Sequence, residues 1–349
     1  MGNCVTVSAN ESIYCVEGRH LRERWSSSGR SSSDFRILRR IGEGATSQVF
    51  LAESKSDSGI VALKQIRKRE VGELSMVEVA HREARVLSAV NSPYVVPMVD
   101  FFQDDKTLVF VLRYAEFGDL RGYLSKFRRL PEKECALFAA KILVGLEALH
   151  KKGFVHCDLK PENILINEKG MPMLSDLGHS QVAGKLKPHC GTAEYVAPEV
   201  LEGKIEEGPA FGIDFWAFGV VLYEMLVGVS PFYTPQSFST FRRILNDPIK
   251  ESTYLGETAF DLISGLLEKE PNLRLGSGAA GTKEIRSHPF FKDIDWFDIE
   301  AARDSPLASF FRKSSEELDE GKRSFECGFE SADEESFQES TLLQGFSMD

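Results

Sequence analysis

The densest chemistry in the chain lies in one run, His156-Cys157-Asp158-Leu159-Lys160-Pro161-Glu162-Asn163. Moving a phosphoryl group onto a hydroxyl needs a carboxylate to accept the hydroxyl proton and a metal-binding amide close behind it. Asp158 and Asn163 stand at a spacing that suits those roles, and Lys160 is placed to steady the charge of the moving group. A plain polar loop between two helices would produce this order only by accident. Thirteen residues after Asn163, Ser175-Asp176-Leu177-Gly178 supplies Asp176 as a second oxygen ligand for Mg²⁺, with Gly178 permitting a turn.

Two further segments handle phosphate. Ile41-Gly42-Glu43-Gly44-Ala45-Thr46-Ser47-Gln48-Val49 is Gly-rich, and glycine lets backbone N–H groups approach phosphate oxygens without a Cβ in the way. A Gly-rich hairpin alone is weak support, and Ser47 stands where a third glycine would be usual. Fifteen residues past Val49, Val61-Ala62-Leu63-Lys64 puts a lysine into an otherwise apolar strand. Such a lysine can snorkel from a sheet edge. It can also hold the α- and β-phosphates, provided a buried carboxylate positions it, and Glu83 on the following helix supplies one.

These groups need a scaffold that brings them to one place. Short β-branched and apolar runs at Phe35–Ile41, Gln48–Ala52, Ile60–Gln65, Val95–Phe102 and Leu108–Arg113, separated by turn-formers, predict an antiparallel sheet. Helical spacing of apolar residues predicts helices over Met76–Val90, Ala136–Lys151, Asp214–Val227 and Ala259–Leu267. The fold class is therefore α+β, a small β-rich lobe (35–113) followed by a larger helical lobe (116–291). Residues 1–34, rich in Ser and Arg, read as a disordered segment. Residues 292–349 read as a polar, acidic tail carrying isolated Phe residues.

With Ala197-Pro198-Glu199, Asp214 and Arg274 following in order, the series resembles the protein kinase signature set, over roughly Phe35 to Phe291. Lys160 is similar to the serine/threonine rather than the tyrosine kinases. His288-Pro289-Phe290-Phe291, Ile294-Asp295-Trp296 and the tail Phe residues resemble the AGC group, which includes the cyclic-nucleotide-dependent kinases and protein kinase C. The resemblance implies a bilobal kinase with ATP and Mg²⁺ as cofactors. It places Ile41, Gly42, Gly44, Val49, Ala62, Lys64, Glu83, Arg113, Ala115, Asp119 and Leu165 at the nucleotide, and Asn163 and Asp176 at the metal. It also implies that Asp119, Glu162 and Glu224 receive basic residues two to three positions before the target Ser or Thr; His179 leaves the choice between Ser and Thr open. Ser324-Phe325-Glu326-Cys327-Gly328-Phe329 resembles the tail element that reaches the adenine pocket. Leu343-Gln344-Gly345-Phe346-Ser347-Met348 resembles a degraded hydrophobic motif with a phosphorylatable Ser347.

The chain departs from that group at the activation segment. Cys157, Val79 and Gln181 stand where an arginine, a histidine and a lysine would hold an activating phosphate, and Pro188 replaces the threonine that would carry it. Losing receptor and ligand together predicts a segment that orders itself without phosphorylation. Control then falls to the tail through an upstream kinase, to a separate regulatory subunit, or to location. A nucleotide-binding pseudokinase scaffold is the alternative, opposed by the presence of Lys64, Glu83, Asp158, Asn163 and Asp176.

Composition narrows the remaining classes. A net charge of −11 opposes general nucleic-acid binding. From Phe311 onward eleven acidic residues face four basic ones. Six scattered cysteines suggest neither a zinc site nor a disulfide framework, and fit a cytoplasmic setting. No secretory signal stands at the N-terminus, and the apolar stretch around Phe215–Val229, which contains Glu224, is too short to span a bilayer. Met1-Gly2-Asn3-Cys4-Val5-Thr6 fits N-myristoylation at Gly2, with Cys4 placed for palmitoylation, so peripheral membrane attachment through acyl chains is expected.

Overall fold

The computed structural model describes residues 29–44, 47–68, 74–103, 106–187, 192–205, 208–234, 237–304 and 306–314. The expectations at Gly2, Cys4, Pro188 and Ser347, and the tail motifs from Ser324 to Met348, lie outside them.

Strands β1 (Phe35–Glu43), β2 (Ser47–Ser54), β3 (Ile60–Arg67), β4 (Met98–Gln103) and β5 (Thr107–Arg113) form one antiparallel sheet in the order β1-β2-β3-β5-β4. Helix α1 (Leu74–Ala89) joins β3 to β4. Side chains alternate between the faces of a strand. Val61 and Leu63 of β3 join Val109 and Val111 of β5 in a small core with Phe35, Ala52 and Phe102. The intervening Ala62 and Ile66 belong to the main core with Phe110 and with Ala80, Ala84 and Leu87 of α1. Lys64 falls between Ala62 and Ile66, opposite Val49 and Phe110 in the ladder, so strand alternation turns its ammonium toward the α1 side. The fourth strand starts later than predicted, at Met98 rather than Val95. Pro97 has no N–H to give a ladder, and Val95 instead bridges Leu174 in the other lobe.

The second lobe is mainly helical: α2 (Leu120–Phe127), α3 (Glu132–His150), α4 (Pro198–Leu201), α5 (Gly212–Val227), α6 (Ser237–Asn246), α7 (Glu257–Leu266), α8 (Thr282–Arg286) and α9 (Trp296–Glu300). Two small two-stranded antiparallel sheets complete it, β6 (Phe154–Val155) with β9 (Gln181–Val182), and β7 (Ile164–Ile166) with β8 (Pro172–Leu174). Helix α5 is buried from Gly212 to Leu226, as an all-round apolar helix must be. Helix α3 begins at Glu132 rather than the predicted Ala136, because Glu132 and Glu134 in its first turn complement the helix dipole.

The tail differs from expectation where it is described. Beyond α9, a helical stretch over 307–314 packs Leu307 and Phe311 fully into the second lobe. The Phe311 ring meets Phe117, Tyr123 and Phe138 at centroid distances of 6.1, 5.1 and 5.6 Å. This part of the tail is core, not a loose polar segment.

Behind the cleft the lobes are joined at Tyr94. Leu174 N–H donates to the Tyr94 carbonyl at 2.9 Å, and Val96 N–H donates to the Leu174 carbonyl at 2.9 Å. The Tyr94 hydroxyl donates to the Ile299 carbonyl at 2.6 Å. Gly145 of α3 makes this approach feasible, since a Cβ there would lie 2.8 Å from the Tyr94 carbonyl oxygen. The neighbouring Lys141 is 1% exposed, with its ammonium 3.4 Å from the Tyr94 hydroxyl.

Burial lowers the pKa of Lys141 from 10.5 to about 8, while Tyr94, pushed up to about 12 by burial, stays neutral through that window. Between those two lysine values the unfolded chain binds more protons, so stability rises with pH. The cost is full below pH 8 and gone above pH 10.5. Lys141→Met is expected to stabilise the fold by about 2–3 kcal/mol near neutrality, with the gain shrinking by about pH 10. Urea unfolding of both proteins at the two pH values checks this, and equal gains at both would contradict it.

Candidate active site

The loop between β6 and β7 is built on Asp214 of α5. Its two carboxylate oxygens accept the backbone N–H groups of His156 at 2.8 Å and Cys157 at 3.0 Å, and His150 Nε2 lies 2.7 Å from Oδ2. Burial pushes the Asp214 pKa up, but these partners outweigh it and the net shift is downward. Cys157 takes a left-handed conformation, φ +67°, which reverses the chain and presents Asp158. Burial pushes the His156 pKa down, and its neutral ring accepts the Asp158 N–H at Nδ1, 3.3 Å.

Four donors fix the Asp158 carboxylate. Thr192 gives its N–H (3.0 Å) and hydroxyl (3.1 Å) to Oδ1; Lys160 Nζ (2.8 Å) and Asn163 Nδ2 (3.0 Å) reach Oδ2. Lys160 also donates to the Thr192 hydroxyl at 2.6 Å. The carboxylate is thus held without any one donor deciding its orientation.

The second cluster crosses the lobes. Lys64 Nζ lies 2.8 Å from both Glu83 carboxylate oxygens and 2.8 Å from Asp176 Oδ1. Burial acts against the Lys64 ammonium, yet Glu83 and Asp176 outweigh it and raise its pKa. Burial raises the Glu83 pKa against the pull of Lys64. For Asp176 burial is again the largest influence, but Lys64 reverses it and the pKa falls. Asp176 adopts a left-handed φ of +55°. Leu177 is fully buried, and a Cβ on Gly178 would meet Val79 Cγ1 at 2.7 Å, so only glycine lets this turn press against α1. Arg82 Nη1 donates to the Gly178 carbonyl at 3.2 Å from that helix.

Between the clusters lies a cleft of about 780 Å³. Ile41, Gly42, Gly44, Val49, Ala62, Lys64 and Glu83 line it from the first lobe, Arg113, Ala115 and Asp119 from the connection, and Lys160, Glu162, Asn163, Leu165, Asp176 and Thr192 from the second. The Arg113 guanidinium turns to Glu168. Residues 45 and 46 of the Gly-rich segment are outside the described part.

Among the described residues no three His, Cys, Asp or Glu side chains cluster to hold a metal by themselves. Asn163 and Asp176 each have one side-chain oxygen not used in the bonds above. Two hard oxygen donors beside a cleft roomy enough for a nucleotide fit Mg²⁺, which keeps waters and takes phosphate oxygens as further ligands.

The three carboxylates expected to receive substrate arginines are placed differently from one another. Asp119 caps α2, accepting Gly122 N–H at 2.7 Å, and burial raises its pKa. Glu162 and Glu224 instead hold the chain's own Arg121, through Nε to Glu162 (2.9 Å) and Nη1 to Glu224. Arg121 Nη2 reaches the Tyr195 hydroxyl at 2.7 Å, and that hydroxyl donates to Glu224 at 2.6 Å. The sequence reading missed Arg121, Tyr195, Arg82 and the Thr192 clamp. Only Thr192, flanked by Gly191 and Ala193 ahead of Ala197-Pro198-Glu199, carried a local signal.

Of the three positions expected to have lost their phosphate-holding groups, Cys157 is buried, Val79 packs at Gly178, and Gln181 binds the segment directly. The Gln181 amide oxygen accepts Lys187 N–H at 2.7 Å, and its Nε2 faces the Lys187 carbonyl at 3.5 Å. Among the described residues no helix is long and apolar enough to cross a membrane.

Comparison with known proteins gives a family. Residues 35–291 match the protein kinase domain. The chain is 35% identical to cAMP-dependent protein kinase type 3 of Saccharomyces cerevisiae over 289 residues, covering 82% of this chain and 72% of that protein. It is 37% identical over 276 residues to serine/threonine-protein kinase gad8 of Schizosaccharomyces pombe, covering 78% and 48%. With protein kinase C eta type of Rattus norvegicus it shares 36% over 280 residues, covering 78% and 41%, so it spans about half or less of the length of these last two. Likeness sustained across both lobes, and not confined to short motifs, makes the chain a member of the protein kinase family, a serine/threonine kinase of the AGC group.

Proposed function

We propose that the chain transfers the γ-phosphate of Mg²⁺-bound ATP to Ser or Thr hydroxyls lying in basic sequence contexts, and that its activation segment works without phosphorylation. The observation that carries the first part is the Asp158 carboxylate, held by four donors from Thr192, Lys160 and Asn163, three residues that line the same cleft as Lys64. Bound Mg²⁺–ATP would supply the phosphoryl group and neutralise its charge. Lys64, oriented by Glu83, would bind phosphate oxygens. Asn163 and Asp176 would hold the metal. Asp158 would orient the acceptor hydroxyl and take its proton, with Lys160 alongside to offset negative charge. The proposed catalytic unit is 35–291. Acylation at Gly2 and Cys4, and phosphorylation of Ser347 by an upstream kinase, rest on sequence motifs alone.

Gln181 supports the second part. In place of a cation gripping a phosphate, its neutral amide pairs with the backbone of Lys187, next to Pro188. The segment is anchored by a bond present from synthesis. Phosphatase-treated enzyme made in bacteria should transfer label from ATP to a serine peptide carrying upstream arginines. Gln181→Ala should lower kcat/KM about 5- to 20-fold, the value of one or two lost hydrogen bonds. Activity that appears only after phosphate is added between Asp176 and Glu199 would defeat the self-ordering reading. No transfer under any treatment would defeat the kinase reading.

A further inference from the structure

We infer that Arg121 is a built-in occupant of the subsite formed by Glu162 and Glu224, so that this kinase gains little from a substrate arginine at the position those carboxylates would serve. The inference rests on the reading of the chain as a kinase that recognises residues upstream of its target, and narrows it.

Arg121 lies in the first turn of α2, on the same short segment as Asp119. Its guanidinium uses every nitrogen: Nε on Glu162 at 2.9 Å, Nη1 on Glu224, and Nη2 on the Tyr195 hydroxyl at 2.7 Å and on Glu224 Oε2 at 3.5 Å. The planar fork of arginine matches two carboxylates in this way and the point charge of lysine does not. Glu224 is the anchor, with only 4% of its side chain exposed. Arg121 fills one of its oxygens, and Tyr195 fills the other at 2.6 Å. Glu162, 45% exposed, is the outer lip.

An arriving guanidinium would meet a cation of the same type already seated on Glu224. It would have to displace a group tethered to the protein, whose effective concentration is about millimolar or higher. Until displaced, that group repels it. Glu162 and Glu224 together carry two negative charges and Arg121 returns one. Asp119 and Glu194 accept no hydrogen bond from Arg121, although its charge acts on both, so arginines reaching those two groups lose less. A subsite that looks receptive in the order of residues is thus closed from within, and the preference for basic residues shifts to other positions of the substrate.

The test uses the full chain and a series of serine peptides, each with one arginine placed at successive positions upstream of the serine in an otherwise uncharged sequence. The readout is the ratio of kcat/KM with arginine to kcat/KM with alanine at each position. This ratio is insensitive to a general loss of activity. For the unmodified enzyme the ratio should lie within about threefold of one at one of the two positions lying two and three residues before the serine, and Arg121→Leu should raise it there about tenfold or more, the value of an unshared charge-assisted bond. Arg121→Gln, which keeps a polar side chain near Tyr195, serves as the second variant should the leucine form not fold, with a rise of the same sign. A ratio already above about threefold at both of those positions in the unmodified enzyme overturns the inference while leaving the kinase reading intact. So does an unchanged ratio in a folded variant. A chain that labels no peptide at all overturns the kinase reading, and this inference with it.

Discussion

Asp158→Asn should lower the rate of phosphoryl transfer by about 10²- to 10⁴-fold while nucleotide still binds. The substitution preserves shape and removes the basicity that lets the carboxylate take a proton from the acceptor. It also breaks the donor arrangement. Oδ1 now accepts from the Thr192 N–H and hydroxyl, and Oδ2 from Lys160 and Asn163. An amide cannot accept on both sides, so its NH₂ must face donors on one of them, and the loop loses its unique setting. ATP should be less affected, because Lys64, Glu83 and Asp176 stand apart from this network and only Asn163 belongs to both. Label transfer and calorimetric titration with Mg²⁺–ATP separate the two effects. Residual transfer within tenfold of the unmodified enzyme would show that Asp158 is not the base.

The largest effect on stability is expected where the activation segment ends. Arg274 and Glu199 form a two-bond pair at 2.7 and 2.8 Å, with side chains 0% and 4% exposed. Arg274 also donates to the carbonyls of Gly212 at 2.8 Å and Glu268 at 3.0 Å, and lies over the Trp216 ring. Removing one partner of such a pair strands the other charge out of water. Arg274→Met should therefore cost about 3–5 kcal/mol of unfolding free energy. Replacing both residues with methionine removes the stranded carboxylate and should recover much of that loss, though not the bonds to the two carbonyls. Denaturant midpoints of the single and double variants decide this, and a double variant no more stable than Arg274→Met alone would refute the stranded-charge account.

Much of the site was legible because its chemistry is local in sequence. Asp158, Lys160 and Asn163 lie within one loop, and Lys64 announced itself as a charge in a strand whose alternation left it on the α1 face. Glu83 was legible as an acid among apolar helical positions. The Arg121 bridge was not. Its partners lie 41, 74 and 103 residues away, and no residue beside it in the sequence points to them. The acidic types of Asp119, Glu162 and Glu224 gave no sign of the cation placed between two of them. The start of the fourth strand was misjudged because two valines outweighed Pro97, and the helix over 307–314 because its few apolar residues stand beside an acidic run.

The junction at Tyr94 determines how such a molecule can breathe. Two backbone bonds to Leu174 and the hydroxyl bond to Ile299 fasten the rear of the small lobe to the large one. A rotation of the small lobe about that junction would carry Lys64 and Glu83 together, because both belong to that lobe. Their pair would survive an opening of the cleft, and only the bond from Lys64 to Asp176, which crosses between the lobes, would have to stretch.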